Sequence, residues 1–157
     1  MTALERARAV VGTVVDPELP VVTLADLGVL RGVEVHGTRV VVTLTPTYSG
    51  CPAMDEIRSD VETALRTAGF EDVEVRTVLT PPWSTAQMTG AAREALRAYG
   101  VAPPSSGPVL VPLRRRVACP QCGSTDTEEL TRFGAAPCRA LWRCTACREP
   151  FDLFKDL

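Results

Sequence analysis

Two short cysteine pairs near the end of the chain constrain its folding more than any other feature. Cys119 and Cys122 are separated by two residues, as are Cys144 and Cys147, and 21 residues lie between the pairs. Two intervening residues let both sulfurs of a pair turn to one side, so two pairs can surround one ion with four thiolates. The spacing predicts a zinc ribbon in which Cys119, Cys122, Cys144 and Cys147 bind a structural zinc ion.

The sequence leaves other chemistry open for these thiols. The first residues lack a basic region followed by an apolar run, so we expect no signal peptide and a cytoplasmic protein whose thiols stay reduced. Disulfides are therefore disfavoured, whereas four thiolates also suit iron. Cys138, the fifth cysteine of this region, is expected to be a small apolar filler, with a substitute metal ligand as the alternative.

A stretch rich in proline, serine and glycine at residues 103–108 marks a domain boundary. We predict a first domain at residues 1–102, a linker at residues 103–116 and the ribbon at residues 117–157. With 157 residues, 45% of them hydrophobic, the chain can bury a sizeable core in its first domain. No run of 18 apolar residues is present, so no membrane span is expected.

Hydrophobic periodicity in the first domain indicates a small α/β fold with a βαβ unit. Alternation over residues 27–45 predicts a β-hairpin that turns near Gly37, with the β-branched run at residues 40–43 in a central strand. Apolar residues at helical spacing follow over residues 54–68, and a third alternating segment covers residues 73–77. Strand, helix and strand make the βαβ unit.

Two further helices are predicted on either side of this unit. A capping box formed by Thr2 and Glu5 begins a helix that runs to about Val11, with Gly12 in the left-handed position that follows a helix. Apolar spacing predicts the other helix at residues 91–99.

Cys51 is the only cysteine outside the ribbon region. It directly precedes Pro52, which we place at the first position of a helix, where unpaired N–H groups and the helix dipole favour a thiolate. Such a thiolate can bind a soft metal or attack an electrophile, and the alternative is a small cap residue. The sole histidine, His36, is expected at an exposed hairpin tip. A Cys–His dyad is therefore not expected, which weakens an enzymatic role for this chain alone.

The predicted loops contain carboxylates and hydroxyls that could act together with Cys51. Asp16 and Glu18 lie in a proline-rich loop, and Asp26 follows it. These carboxylates could help Cys51 coordinate a metal, although helix capping is the role we favour. The hydroxyls that precede Cys51 could serve the same site or only stabilise the loop; they belong to Thr45, Thr47, Tyr48 and Ser49.

These features together resemble a known family. Six segments carry the resemblance: DPELP at 16–20, DLGV at 26–29, TPTYSGCP at 45–52, PPWST at 81–85, CPQCGS at 119–124 and EPFD at 149–152. The first three resemble the α/β domain of SufT-type iron–sulfur assembly factors. The last three narrow the resemblance to the PaaD family, also called PaaJ, over nearly the whole chain.

The resemblance implies an accessory or maturation factor of the phenylacetyl-CoA epoxidase, the ring 1,2-epoxidase of aerobic phenylacetate degradation. Such a factor would aid delivery of iron or an iron–sulfur cluster and would not itself be catalytic. The implied functional thiol is Cys51, with Asp16, Glu18 and Thr47 nearby. The implied partners are epoxidase components, especially the [2Fe–2S] reductase, and a homo-oligomer is left open. A transient iron or cluster would accompany the structural zinc.

Two alternatives stay open at this point. The chain could be a structural subunit needed directly in the oxygenase complex. It could also be a nucleic-acid-binding ribbon, as suggested by the run Arg114-Arg115-Arg116 beside the cysteine pairs. A formal net charge of −2 gives no field that favours nucleic acid, so nucleic acid is not an expected partner.

Overall fold

The computed structural model describes residues 1–106 and 115–157 of the chain. Within these ranges, none of the helices combines the length and the apolar character that a membrane crossing requires. The chain forms two compact units. The first contains Met1–Trp83 and Gln87–Ala92, and the second contains Ser84–Ala86 and Arg93–Leu157.

The first unit is built on a three-stranded sheet. β1 (Leu30–His36) and β2 (Arg39–Leu44) form an antiparallel hairpin, and β3 (Asp72–Thr77) pairs in parallel with β2, which lies in the middle. The three valines at residues 40–42 are all buried, as expected for a central strand. Gly37 turns the hairpin with a φ of +64°. The predicted hairpin and its central strand are confirmed.

Helix α1 (Ala3–Gly12) begins as the sequence predicts but ends differently. The Glu5 N–H donates to the Thr2 hydroxyl at 3.1 Å, and the Thr2 N–H donates to the Glu5 carboxylate at 2.6 Å, which completes the capping box. The prediction of a left-handed glycine at Gly12 is wrong, because Gly12 is the last helical residue. Thr13 ends the helix instead, and its hydroxyl donates to a carbonyl of the last turn at 2.8 Å.

A one-turn helix, α2 (Leu24–Leu27), precedes β1 and is not among the predicted elements. The predicted strand start near Leu27 is therefore wrong, since Leu27 ends this helix and the strand begins at Leu30. Thr23 caps the helix by accepting a hydrogen bond from the Asp26 N–H at 3.0 Å. A four-residue helix is too short to show helical periodicity, which is why the sequence does not reveal it.

Gly28 follows α2 in a left-handed conformation with a φ of +83°. A Cβ at this position would lie 2.8 Å from the Cβ of Gln87 and 2.9 Å from its carbonyl oxygen. Both the backbone conformation and the close approach of Gln87 therefore require glycine here.

We expect Gly28→Ala to lower the free energy of unfolding of the first unit by about 2 to 4 kcal/mol, because it adds a clash to a positive φ. Gly12→Ala is the matched control: a Cβ there meets nothing within 4 Å and the residue is helical. It should raise stability by up to about 1 kcal/mol. Urea denaturation, followed by Trp83 fluorescence in a Trp142→Phe background, measures both. Equal stabilities of the two variants would contradict the expectation.

Helix α3 (Met54–Thr67) connects β2 to β3 and completes the predicted βαβ unit. Its buried residues recur at helical spacing; they are Met54, Ile57, Val61 and Leu65. Gly69 follows the helix with a φ of +91°. The N–H groups of Gly69 and Phe70 both donate to carbonyls of the last turn, which is a Schellman motif. The helix predicted at residues 54–68 is confirmed to within one residue at its end.

The second unit contains a four-stranded sheet. Its strands are β4 (Val101–Ala102), β5 (Thr127–Thr131), β6 (Arg139–Cys144) and β7 (Pro150–Phe154), in the order β4-β7-β6-β5. β6 pairs antiparallel with both β5 and β7, whereas β4 pairs in parallel with β7. Its core includes one cluster of buried residues: Ala102, Val117, Cys119, Ala140, Trp142, Cys144, Phe151 and Leu153.

The division between the units differs from the predicted boundary after residue 102. It falls inside helix α4 (Gly90–Tyr99), and β4 belongs to the sheet of the second unit. A two-residue strand has too short a pattern to be recognised in the sequence. Residues 107–114 of the predicted linker, including Arg114 of the arginine run, lie outside the described residues.

Candidate metal centre and the Cys51 loop

Four cysteine side chains of the second unit meet around one position. The Sγ atoms of Cys119, Cys122, Cys144 and Cys147 all lie within 4.8 Å of one another. The Cys119–Cys147 and Cys122–Cys144 sulfur distances are 3.7 Å and 3.6 Å. Both exceed the S–S bond length of about 2.05 Å, so these pairs are not disulfides. In residues 1–106 and 115–157, no other group of three or more Cys, His, Asp or Glu side chains is placed this way.

The two cysteine turns share one backbone pattern. The Cys119 N–H donates to the Ser124 carbonyl at 2.9 Å, and the Cys144 N–H donates to the Glu149 carbonyl at 3.0 Å. In each turn the first cysteine is buried and the second is exposed. Strand β6 ends at Cys144 and so positions the second turn. Gly123 allows the first turn to close with a φ of +75°.

The surroundings of Cys144 and Cys147 give their thiols different pKa values. The Cys147 N–H donates to the Cys144 Sγ at 3.5 Å, and this bond, opposed by burial, lowers the pKa of Cys144 to about 7. A bond from the Glu149 backbone lowers the pKa of Cys147, but burial and the neighbouring thiols outweigh it and raise that pKa to about 12. Cys144 is therefore the more acidic of these two thiols.

This donor set fits a zinc ion. Four sulfurs around one position, two of them in the core of a small sheet unit, are the arrangement of a closed structural zinc site. Cys119, Cys122, Cys144 and Cys147 would hold the ion, which would join the two turns and fix the sheet between them. No coordination position is left for a substrate, so the role of the site is structural.

Zinc affinity should fall as the pH falls, because protons compete with zinc for the sulfurs. Because we expect the metal-free second unit to be unfolded, its cysteines should behave as ordinary thiols, with pKa values of about 8.5, before zinc binds. Each ligand then releases a proton on binding below that pH, and each released proton contributes a tenfold change in affinity per pH unit. Competition with a chromophoric chelator from pH 6 to 9 measures the slope of log affinity against pH, and an affinity that does not change with pH would contradict the expectation.

Cys138 is buried and lies directly before β6. It is not a member of the quartet, since the cluster found in the described chain consists of the other four ribbon cysteines. Its burial fits the predicted role as a small apolar filler, and the alternative of a substitute ligand finds no support.

Cys51 lies before helix α3 and not at its first turn. The helix begins at Met54, and Ala53 is its N-cap residue, without a side-chain cap. The prediction that Pro52 occupies the first helical position is therefore wrong. Pro52 and Ala53 form a turn instead, closed by the Met54 N–H, which donates to the Cys51 carbonyl at 3.3 Å. Cys51 is half-buried on the connection between β2 and α3.

Asp16 has a structural role, but it does not cap a helix as the sequence analysis favoured, since residues 17–20 form a loop. The residue is buried, and its carboxylate accepts hydrogen bonds from the N–H groups of Glu18 at 2.8 Å and Leu19 at 3.0 Å. These bonds fold the proline-rich loop back on itself. Within the described chain, Asp16 and Glu18 do not form a metal-binding cluster with Cys51.

Asp26 and Glu18 differ in their surroundings. The Asp26 carboxylate accepts hydrogen bonds from the hydroxyls of Thr23 at 3.0 Å and Thr89 at 3.1 Å, so it supports helix ends as predicted. Glu18 is exposed and Thr47 is half-buried. Neither side chain has a polar partner among the described residues, so the polar groups of both are available to an external ligand.

Thr45 opens the connection that contains Cys51, and it is the first of the four hydroxyl residues that precede this cysteine in the sequence. Its N–H donates to the Val29 carbonyl at 2.8 Å, and its side chain is buried. Its hydroxyl oxygen has no hydrogen-bond partner among the described residues. A buried hydroxyl without a partner is unfavourable and points to a water molecule or ligand group in this loop. Sequence spacing does not show that the Thr45 hydroxyl is buried without a partner.

His36 is exposed at the end of β1, where its ring nitrogen contacts the Glu34 carboxylate at 3.0 Å. This confirms the predicted hairpin-tip position, since the turn at Gly37 follows directly. The His36 ring lies at the hairpin end of β2, whereas the β2–α3 connection that contains Cys51 starts at the other end of this strand.

Two family models match different parts of the chain. The model described as "Iron-sulfur cluster assembly protein" matches residues 4–78, which include Asp16 and Cys51. The model described as "PaaD zinc beta ribbon domain" matches residues 104–155, which include the cysteine quartet.

Individual proteins match in the same pattern. A protein of Escherichia coli (strain K12) that carries the name of a 1,2-phenylacetyl-CoA epoxidase component is 45% identical over 147 residues, 94% of this chain and 89% of that protein. The Fe-S protein maturation auxiliary factor SufT of Staphylococcus aureus (strain USA300) is 36% identical over 85 residues, 53% of this chain and 96% of that protein. The crystal structure of a DUF59 domain of unknown function from Bacillus anthracis aligns with a TM-score of 0.55 at 35% identity, covering 59% of this chain and 90% of that one.

Proposed function

The chain belongs to the PaaD family, and on that premise we propose that it is a maturation factor of a phenylacetyl-CoA epoxidase system. In this role it aids delivery of iron or an iron–sulfur cluster to the complex and does not carry out the oxygenation. The observation that carries the proposal is the match of residues 4–78, most of the first unit, to iron–sulfur cluster assembly proteins.

Cys51 is the group proposed to handle the cargo. It is the only cysteine outside the quartet and Cys138, it is half-buried, and it lies on a loop rather than inside the sheet. One thiolate occupies only one coordination position of an iron ion, so the cargo stays exchangeable. Thr47 of the same loop is proposed as a further polar group, together with Glu18 of the proline-rich loop, whose conformation the Asp16 carboxylate stabilises.

Transfer from such a site is a ligand exchange. A thiol of the acceptor loses its proton and forms a new bond to iron as the bond between iron and the Cys51 sulfur breaks. The Cys51 thiolate takes up a proton in turn, and no electron changes hands. The proposed acceptor is the [2Fe–2S] reductase of the epoxidase system, and the thiolate form of Cys51 is the one that binds iron. Two copies of the chain, each providing one Cys51, would offer two thiolates to one cluster.

A second function is favoured by one observation. The E. coli relative carries the name of an epoxidase component, so a direct structural place in the oxygenase complex is the competing proposal. The two differ in when the chain is needed: a maturation factor acts before turnover, and a structural component acts during it.

Reconstitution with loaded components separates these functions. Epoxidase and reductase with their cofactors already bound should turn over phenylacetyl-CoA without this chain. The same components purified from cells that lack the chain should be deficient in iron. If loaded components still require a stoichiometric amount of the chain, the maturation proposal is wrong and the structural one replaces it.

A further inference from the structure

The residue after the second cysteine pair has an unusual backbone conformation. Arg148 has a φ of +69°, and Gly123 takes the same place after the first pair with a φ of +75°. Both turns are closed by the same backbone hydrogen bond. Glycine adopts this conformation without strain, whereas a residue with a Cβ does not. Among the described residues, Arg148 is the only residue other than glycine with a positive φ.

Contacts within the chain do not explain an arginine at this strained position. Arg148 is exposed, and its guanidinium has no hydrogen bond, ion pair or ring contact with any described residue. Gly123 shows that glycine closes the equivalent turn. Backbone strain that contacts within the chain do not explain is a reason to look for a functional role of this side chain.

The surface beside Arg148 is concave and basic. A cavity of about 370 Å³ is lined by Arg143, Cys144, Thr145 and Arg148. Arg143 already forms an ion pair with Glu128, and the Thr145 hydroxyl donates to a backbone carbonyl. Arg148 is thus the cation of this surface that is available to an external anion.

We propose that Arg148 is a docking residue that receives a carboxylate side chain of an epoxidase component and brings that component against the second cysteine turn. The identity of this partner rests on the proposed function. A guanidinium matches a carboxylate with two parallel hydrogen bonds, and the one available guanidinium suits one carboxylate better than a polyphosphate. The competing explanation is local: Arg148 would offset the negative charge of four thiolates around a divalent ion.

The two explanations predict opposite effects of Arg148→Gly on zinc binding. Under docking, the substitution relieves strain, so zinc affinity should stay equal or rise by up to about tenfold. Under charge compensation, it removes a nearby cation, so zinc affinity should fall. Competition with a chromophoric chelator on the full chain measures the difference.

Partner binding is measured on the same zinc-loaded variants, by calorimetry with purified reductase and epoxidase. Arg148→Gly should weaken partner binding about tenfold or more. Arg148→Lys should restore only part of the lost affinity, since lysine lacks the planar guanidinium group with its paired donors. Arg132→Ala is the matched control, because Arg132 is also exposed and has no partner among the described residues. It should bind like the wild-type chain.

Each other outcome overturns a stated part of the proposal. Weaker zinc binding by Arg148→Gly would assign the arginine to the thiolate cluster. Unchanged partner binding by Arg148→Gly would reject the docking role and leave the proposed function intact. Absence of binding between the wild-type chain and every epoxidase component would reject both the docking role and the proposed function.

Discussion

Removal of metal from the cysteine quartet is expected to unfold the second unit and leave the first unit folded. The buried core of the second unit is small and contains two of the four cysteines, Cys119 and Cys144. Without an ion, the sheet loses the link between its two cysteine turns. Structural zinc in domains of this kind contributes on the order of 10 kcal/mol or more to folding, which exceeds what so small a core can supply.

Hydrogen exchange on the full chain, before and after chelation, gives the clearest measurement. Amides of β5, β6 and β7 should lose protection, as should those of Val101 and Ala102, whose strand pairs with β7. Amides of β2 in the first unit should keep theirs. Cys144→Ser should reproduce the effect of the chelator, whereas Cys138→Ser should retain the metal. A single cooperative transition that is unchanged by chelation would contradict the expectation.

The cysteine quartet could be predicted from the sequence because the spacing that defines each cysteine pair lies within four consecutive residues. Two residues between cysteines determine how each turn presents its sulfurs, and no knowledge of the fold is needed to read this spacing. The βαβ unit could be predicted for a similar reason, since its periods of two and 3.6 residues extend over whole elements. What the sequence could not show is that the sheet of the ribbon takes in β4, because a two-residue strand is defined by its partner alone.

Two of the errors lie where two local signals compete for one helix end. At Gly12 the glycine suggests a left-handed end, but the hydroxyl of Thr13 satisfies a carbonyl of the last turn and ends the helix there. At Pro52 the proline suggests a first helical residue, but a turn over Pro52 and Ala53 delays the helix to Met54. In both cases several arrangements satisfy the backbone, and packing of the whole unit selects one of them.

The consequence for Cys51 is mechanistic. A cysteine two residues before the N-cap does not occupy the cap position, so capping does not account for its presence. The orphan hydroxyl of Thr45, six residues earlier in the same connection, is a second polar group without a partner in the described chain. These two observations support a loop that is organised for a ligand more than for the helix that follows it.

Cys51→Ala is therefore expected to abolish most of the maturation function while leaving the fold intact. In cells whose own copy is deleted, the variant should lower the iron content of the epoxidase reductase about tenfold or more, because loss of a ligand exceeds the effect of losing its supporting contacts. Growth on phenylacetate should fall with it. Cys51→Ser should behave in the same way, since a serine hydroxyl does not ionise at neutral pH and cannot replace a thiolate.

Ser49→Ala is the matched control, because Ser49 is an exposed residue of the same loop with a side chain of similar size. It should support normal iron content and growth. The urea midpoints of all three variants should equal that of the wild-type chain, which separates loss of the thiol from loss of the fold. Cys51 is only half-buried, so its truncation leaves little cavity. Full iron content and normal growth with Cys51→Ala would show that the cargo is carried without this sulfur, and the maturation role would then have to rest on other residues of the first unit.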